Sequence, residues 1–115
     1  MNKSEYVTDA TFESEVLKSE IPVLVDFYAD WCGPCRAIHF ALDDIAKAIY
    51  GEFAVVTLNI DENRAIAYRY GVSNIPTVIL FKDGQPAERF SGIVSKQTII
   101  SRSRSHIPVP DLAAN

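Results

Sequence analysis

The chain has 115 residues, 48% of them hydrophobic and 23% charged, with a formal net charge of -4. That length bounds it to one domain whose core is large enough to fold without covalent staples. The mild acidity excludes a general electrostatic attraction for nucleic acid or anionic lipid, so neither is expected as a partner.

In chain order, Met1-Asn2-Lys3-Ser4-Glu5 leads into no apolar run of the secretory kind. No later stretch approaches the roughly 20 apolar residues that span a bilayer, so a cytoplasmic protein with no membrane contact is expected. Thr8-Asp9-Ala10-Thr11 reads as a cap before a short helix, Phe12 to Lys18, with Phe12, Val16 and Leu17 on its apolar side. Pro22 opens Val23-Leu24-Val25-Asp26-Phe27-Tyr28-Ala29, whose nearly continuous apolar character predicts a central strand covered on both faces. From Pro34 to about Tyr50, Ile38, Leu42, Ile45 and Ile49 recur at helical spacing, and Gly51 ends the helix. Phe53 to Ile60 reads as another buried strand, and Asn63 to Tyr70 as a short helix stopped by Gly71.

The last third changes character. Thr77-Val78-Ile79-Leu80-Phe81 and Ala87 to Ser91 flank Lys82-Asp83-Gly84-Gln85, whose Asp-Gly predicts a hairpin. Ser95 caps a closing helix in which Ile99, Ile100 and Ile107 are apolar and Ser103 takes an inward position. Pro108-Val109-Pro110 ends it, so the expected organisation is a domain over 1–107 and a mobile tail over 108–115. Early alternation of strands and helices, then a hairpin and a helix, gives an α/β fold with a mixed sheet between helices.

The two cysteines stand at the end of the central strand and the start of the long helix, in Trp31-Cys32-Gly33-Pro34-Cys35. Two cysteines cannot make a four-cysteine zinc site, and His39 and His106 lie too far apart for a finger, so no metal is expected. Redox chemistry fits better. A helix N-terminus favours the thiolate of the preceding cysteine, which makes Cys32 the expected exposed nucleophile. Pro34 suits the first helical turn, and Gly33 lets the backbone turn tightly. Cys35, one turn in, is expected to be shielded and to attack second. Asp26 lies in the apolar strand, where burial raises a carboxyl pKa, and it is placed to take the proton of Cys35. The alternative is a strand-edge carboxylate facing water.

Trp31-Cys32-Gly33-Pro34-Cys35 resembles the active-site sequence of the thioredoxin family, and the resemblance runs from about Ser4 to Ile107. Asp26, Asn59-Ile60-Asp61, Ile75-Pro76-Thr77, Phe81-Lys82-Asp83-Gly84 and Gly92 stand in matching positions. The resemblance implies a thioredoxin fold, a five-stranded mixed β-sheet flanked by four α-helices. It implies a nucleophilic Cys32 of lowered pKa, a resolving Cys35 and Asp26 as buried acid–base group. The proline matching Pro76 is cis in the family and lies against the cysteines; the residues alone favour a trans proline opening a strand. Trp31, Gly33, Pro34, Ile60, Ile75 and Gly92 then form an apolar docking surface, with the Ile75 backbone pairing to an extended substrate.

The implied activity is protein-disulfide reduction through a mixed disulfide, recycled by an NADPH- or ferredoxin-dependent thioredoxin reductase. No cofactor beyond the Cys32–Cys35 pair is implied, and the protein is expected to be a monomer. An oxidase or isomerase of disulfides suits an exported protein and a different dipeptide between the cysteines. A redox-switched binding module, docking on a partner without turnover, is the alternative from another class.

Several positions depart from the family pattern. Thr57 replaces a lysine common near the buried aspartate, which by itself raises the Asp26 pKa further. Phe40 replaces a kink-forming proline, so a straighter helix is expected. Tyr28 stands where tryptophan is common. His39 stands where a small residue is usual, on the helix face of Cys35. The ordinary expectation for His39 is an imidazole turned to solvent; the alternative is that it approaches Asp26 or Cys35 and partly replaces the lysine as a proton or charge partner. Ser101-Arg102-Ser103-Arg104-Ser105-His106 reads as a solvated helix face.

Overall fold

Residues 5–107 are described by the computed structural model; the segment 108–115, read above as a tail, lies outside the described residues. The apolar strand β2 (Val23–Tyr28) takes the middle of a five-stranded sheet of order β1-β3-β2-β4-β5. β3 (Ala54–Asn59) runs parallel to it on one side, and β4 (Thr77–Lys82) antiparallel on the other. β1 (Glu5–Tyr6) pairs parallel with β3, and β5 (Gln85–Ser91) antiparallel with β4. The sheet is therefore mixed, as expected. The two-residue β1 has too short a pattern to be read from its own residues.

Alternation along β2 builds two cores. Val23, Val25 and Phe27 face one side, packing with Phe12, Val16, Leu58, Ile79 and Phe81. Leu24 faces the other, packing with Ile38, Leu42, Ile45, Ile49, Leu80 and Ile99. Asp26 shares the parity of Leu24 and so is carried toward the long helix.

That helix, α1 (Gly33–Ala48), is uninterrupted, with Phe40 exposed on its outer side. α2 (Arg64–Arg69) and α3 (Lys96–Arg104) are short. The fourth helical element is a π-helical turn, Glu13–Leu17, in which the Lys18 N–H donates to the Glu13 carbonyl at 3.0 Å. An α-helix was the expectation for Phe12 to Lys18. Residues four apart fall near one face in either geometry, so the burial of Phe12 and Val16 does not distinguish them.

Two other expectations are corrected. Gln85 and Pro86 belong to β5: that strand is an edge, and Pro86 sits at its irregularity opposite Leu80 and Phe81, where a missing donor is harmless. The polar segment 101–106 is not simply solvated. Arg102 and His106 both reach Glu88, at 2.5 and 2.9 Å, and Arg104 forks onto Glu52 at 2.8 and 2.9 Å. Ser103 does turn inward, fully buried. The hairpin forms at Asp83 and Gly84, with φ of 54° and 77°, the left-handed pair that a two-residue turn requires.

Candidate active site

The register of the sheet gathers the site at one end. Tyr28, the last residue of β2, pairs with Asn59, so Ile60 follows at the same edge. Phe27 pairs with Thr77, and Thr77 with Ser91, so Pro76 and Gly92 stand there too. The Gly92 N–H donates to the Pro76 carbonyl at 2.9 Å, and the Ile75-Pro76 bond is cis. The trans proline favoured by the residues alone is therefore not what forms. Pro76 is buried, Ile75 and Ile60 are half-buried, and Gly33, Pro34 and Gly92 are exposed.

β2 delivers the chain into Ala29-Asp30-Trp31 and the N-cap of α1, which is Cys32 in extended conformation (φ -87°, ψ 103°). Its Sγ accepts the Cys35 N–H at 3.2 Å, taking the capping role that an oxygen usually fills. Cys32 and Cys35 are joined as a disulfide. Pro34 lies in the first helical turn, where no donor is lost. Gly33 is outside the left-handed region, and a Cβ there would meet nothing within 4 Å. The turn therefore does not need glycine, and what Gly33 contributes is bare surface.

Cys32 is not the exposed member of the pair that was expected. It is 5% accessible against 4% for Cys35. With the disulfide closed, its sulfur is bonded to Cys35 and turned over the helix start. Trp31 beside it is 70% exposed, its indole N–H held by Asp61 Oδ2 at 2.8 Å. Asp61 is oriented in turn by Asn59 Oδ1, which accepts the Asp61 N–H at 2.9 Å. Sequence reasoning placed Asn59 and Asp61 in the pattern without giving them this task.

Asp26 is fully buried, flanked in register by Thr57 and Val78. A strand-edge carboxylate facing water is excluded. His39 Nδ1 lies 3.3 Å from Asp26 Oδ2, while Asp26 Oδ1 and Thr57 Oγ1 have no hydrogen-bond partner among the described residues. The ordinary expectation for His39 is thus half corrected: its side chain is 42% exposed, yet its Nδ1 edge faces the carboxylate. Asp26 is drawn toward α1 by the parity of β2, and His39 follows Ile38 on the inward margin of the helix.

Burial holds the Asp26 carboxyl above the ordinary carboxylate range; the His39 contact opposes this and the charge of Asp43 adds to it. The hydrogen bond to Asp26 pushes the His39 imidazole up, against the effect of its own partial burial. Asp43, four residues beyond His39 on the same helix face, was not singled out by sequence; its i,i+4 spacing is the signal that finds it. Tyr6, Tyr28, Cys32, Cys35, Arg36 and His39 line one groove of about 350 Å³. Tyr28 packs there with its ring centroid 6.4 Å from that of His39.

Comparison with known proteins decides the family. The family model described as Thioredoxin matches residues 3–105. The chain belongs to the thioredoxin family. It is 47% identical over 107 residues to a thioredoxin 1 of Synechococcus elongatus, covering 93% of this chain and all of that one. It is 45% identical over 107 residues to a thioredoxin 1 of Nostoc sp., with the same coverage of each chain. A thioredoxin of Pseudomonas aeruginosa is 50% identical over 93 residues, 81% of this chain and 86% of its own. With the Cys32–Cys35 disulfide in the family motif, the protein is a thiol–disulfide oxidoreductase. Among the described residues, no group of three or more His, Cys, Asp or Glu is placed to hold a metal ion, and no helix is long and apolar enough to cross a membrane.

Proposed function

We propose that the protein is a cytoplasmic, monomeric protein-disulfide reductase acting through its 1–107 domain. The observation that carries this reading is the sulfur of Cys32 seated on the first turn of α1, at the sheet end that also presents Trp31, Ile60, Ile75 and Gly92. In the reduced protein the Cys32 thiolate attacks one sulfur of a substrate disulfide. That disulfide breaks, and one substrate thiol leaves while Cys32 holds the other sulfur. Cys35 then gives up its proton to Asp26, whose Oδ1 is an open acceptor position, and attacks Cys32. The second substrate thiolate leaves and is protonated by solvent. Two electrons have passed from the dithiol to the substrate, and the enzyme holds the Cys32–Cys35 disulfide. A thioredoxin reductase returns two electrons and two protons.

The exposed Trp31, Gly33, Pro34 and Gly92, with half-buried Ile60 and Ile75, form a shallow surface that suits varied protein disulfides. Buried Pro76 supports the Ile75 backbone for strand-like pairing with the substrate.

The test is turnover of a protein disulfide with an NADPH-dependent and, separately, a ferredoxin-dependent reductase. One of the two should sustain turnover. Cys32→Ser should abolish it, and Cys35→Ser should accumulate a covalent enzyme–substrate adduct. A double Cys→Ser variant that still binds and regulates a partner, beside a wild type that turns over with neither reductase, would favour a redox-switched binding module instead.

A further inference from the structure

We propose that His39 is a positioning residue through which buried Asp26 exchanges its proton with solvent. The inference rests on the reading of Asp26 as acceptor of the Cys35 proton, and deepens it. A fully buried carboxyl must shed any proton it holds before it can take the one from Cys35, in the first turnover as in every later one. Asp26 has no accessible surface through which to do so. Its hydrogen-bonding contact among the described residues is His39 Nδ1, at 3.3 Å from Oδ2, and the His39 side chain is 42% exposed. The imidazole therefore joins the buried carboxyl to the groove that Cys32 and Cys35 line. The other polar neighbour in register, Thr57, carries no charge, and its hydroxyl makes no hydrogen bond among the described residues.

The proton balance closes. With Asp26 ionised, His39 Nδ1–H donates to Oδ2. When Asp26 takes the Cys35 proton, exchange with solvent puts the neutral imidazole in its Nε2–H tautomer and Nδ1 accepts the carboxylic proton. The imidazolium then loses the Nε2 proton to water, which leaves Asp26 ionised with His39 Nδ1–H again donating to Oδ2. The charged and titratable groups facing the pair are Asp43 and Arg36 from α1, Tyr28 and Asp30 from the end of β2 and the turn after it, and Tyr6 from β1. β3 and β4 contribute only Thr57 and Val78 opposite Asp26, neither of which titrates.

The experiment mixes reduced protein with one equivalent of dithiobis(nitrobenzoate) in stopped flow. The second thionitrobenzoate release reports attack by Cys35 alone. His39→Ala should slow that phase about tenfold, less than the roughly 10²–10⁴-fold of a direct proton acceptor because bulk water substitutes in part for the relay. Free imidazole should restore the rate in proportion to its concentration. His39→Gln, which keeps bulk and polarity, should be as slow as His39→Ala and shift the pH profile of the phase.

Asp26→Asn should be slow and insensitive to imidazole, and should lower the His39 pKa read by NMR. Either a His39→Ala phase that overlays the parent, or one that is slow and unrescued by imidazole, overturns the relay while leaving the Asp26 reading intact. An Asp26→Asn phase as fast as the parent's overturns the Asp26 reading itself.

Discussion

Asp26 is the only buried carboxylate among the described residues, and its surroundings make stability depend on pH. Its folded pKa lies above the ordinary 3.8, so between those two values the native state binds more protons than the unfolded chain. Stability accordingly falls as pH rises through that window. His39, with a folded pKa above 6.5, contributes stability that is full below 6.5 and lost as pH rises through the folded value. Both slopes have the same sign. Asp26→Asn should therefore be more stable than the parent by about 1–3 kcal/mol in mildly alkaline solution and nearly equal to it in acid, because the cost of a buried, half-satisfied carboxylate is removed. Urea unfolding of the oxidised protein across that pH range checks this. At this scale the sequence was partly legible: burial of Asp26 followed from its apolar neighbours, whereas the His39 contact depends on a distance between two elements.

Among the elements, α3 shows how local chemistry and tertiary contacts divide the work. Nine residues are too few for an isolated helix to persist in water. Ser95 Oγ accepts the Thr98 N–H at 3.1 Å, which satisfies one open donor of the first turn. Ile99 is buried in the core shared with α1, and Arg104 reaches Glu52 beyond the end of α1. Ser95→Ala should cost about 1 kcal/mol in urea unfolding, with helix α3 exchanging its amides faster and the disulfide-reduction rate unchanged. The cap was readable from Ser95 and its spacing to the apolar run. The pairing of Arg102 and His106 with Glu88 was not, since Glu88 comes from a different strand and only the packing of α3 across β5 brings them together.

For the whole molecule, the two faces of the sheet serve different ends. The face packed by α1 and α3 carries Asp26 and supports the cysteines, while the opposite face is a core anchored by aromatic rings. Phe12 lies edge-on to Phe81 at 5.3 Å and 5.7 Å from Tyr70, which ties the π-helical turn to β4 and to the end of α2. The Tyr70 carbonyl also accepts a hydrogen bond from Arg89 of β5. Phe12→Ala should lower stability by about 3–5 kcal/mol while leaving the rate of disulfide reduction by the folded protein unchanged. Denaturation measured beside activity separates the two effects.

The sequence by itself determined the order and type of the elements from β2 onward, the central place of Val23–Tyr28, the hairpin at Asp83-Gly84 and the cysteine pair at a helix start. These follow from local pattern: continuous apolar character, helical spacing of Ile38, Leu42, Ile45 and Ile49, and residues that tolerate left-handed backbone. Tertiary structure alone decided the cis bond before Pro76, the near-equal burial of Cys32 and Cys35, the edge pairing of Pro86 and the approach of His39 to Asp26. Each of these depends on which strands and helices become neighbours. Local pattern sets the face on which a side chain lies, but the fold chooses what meets it there.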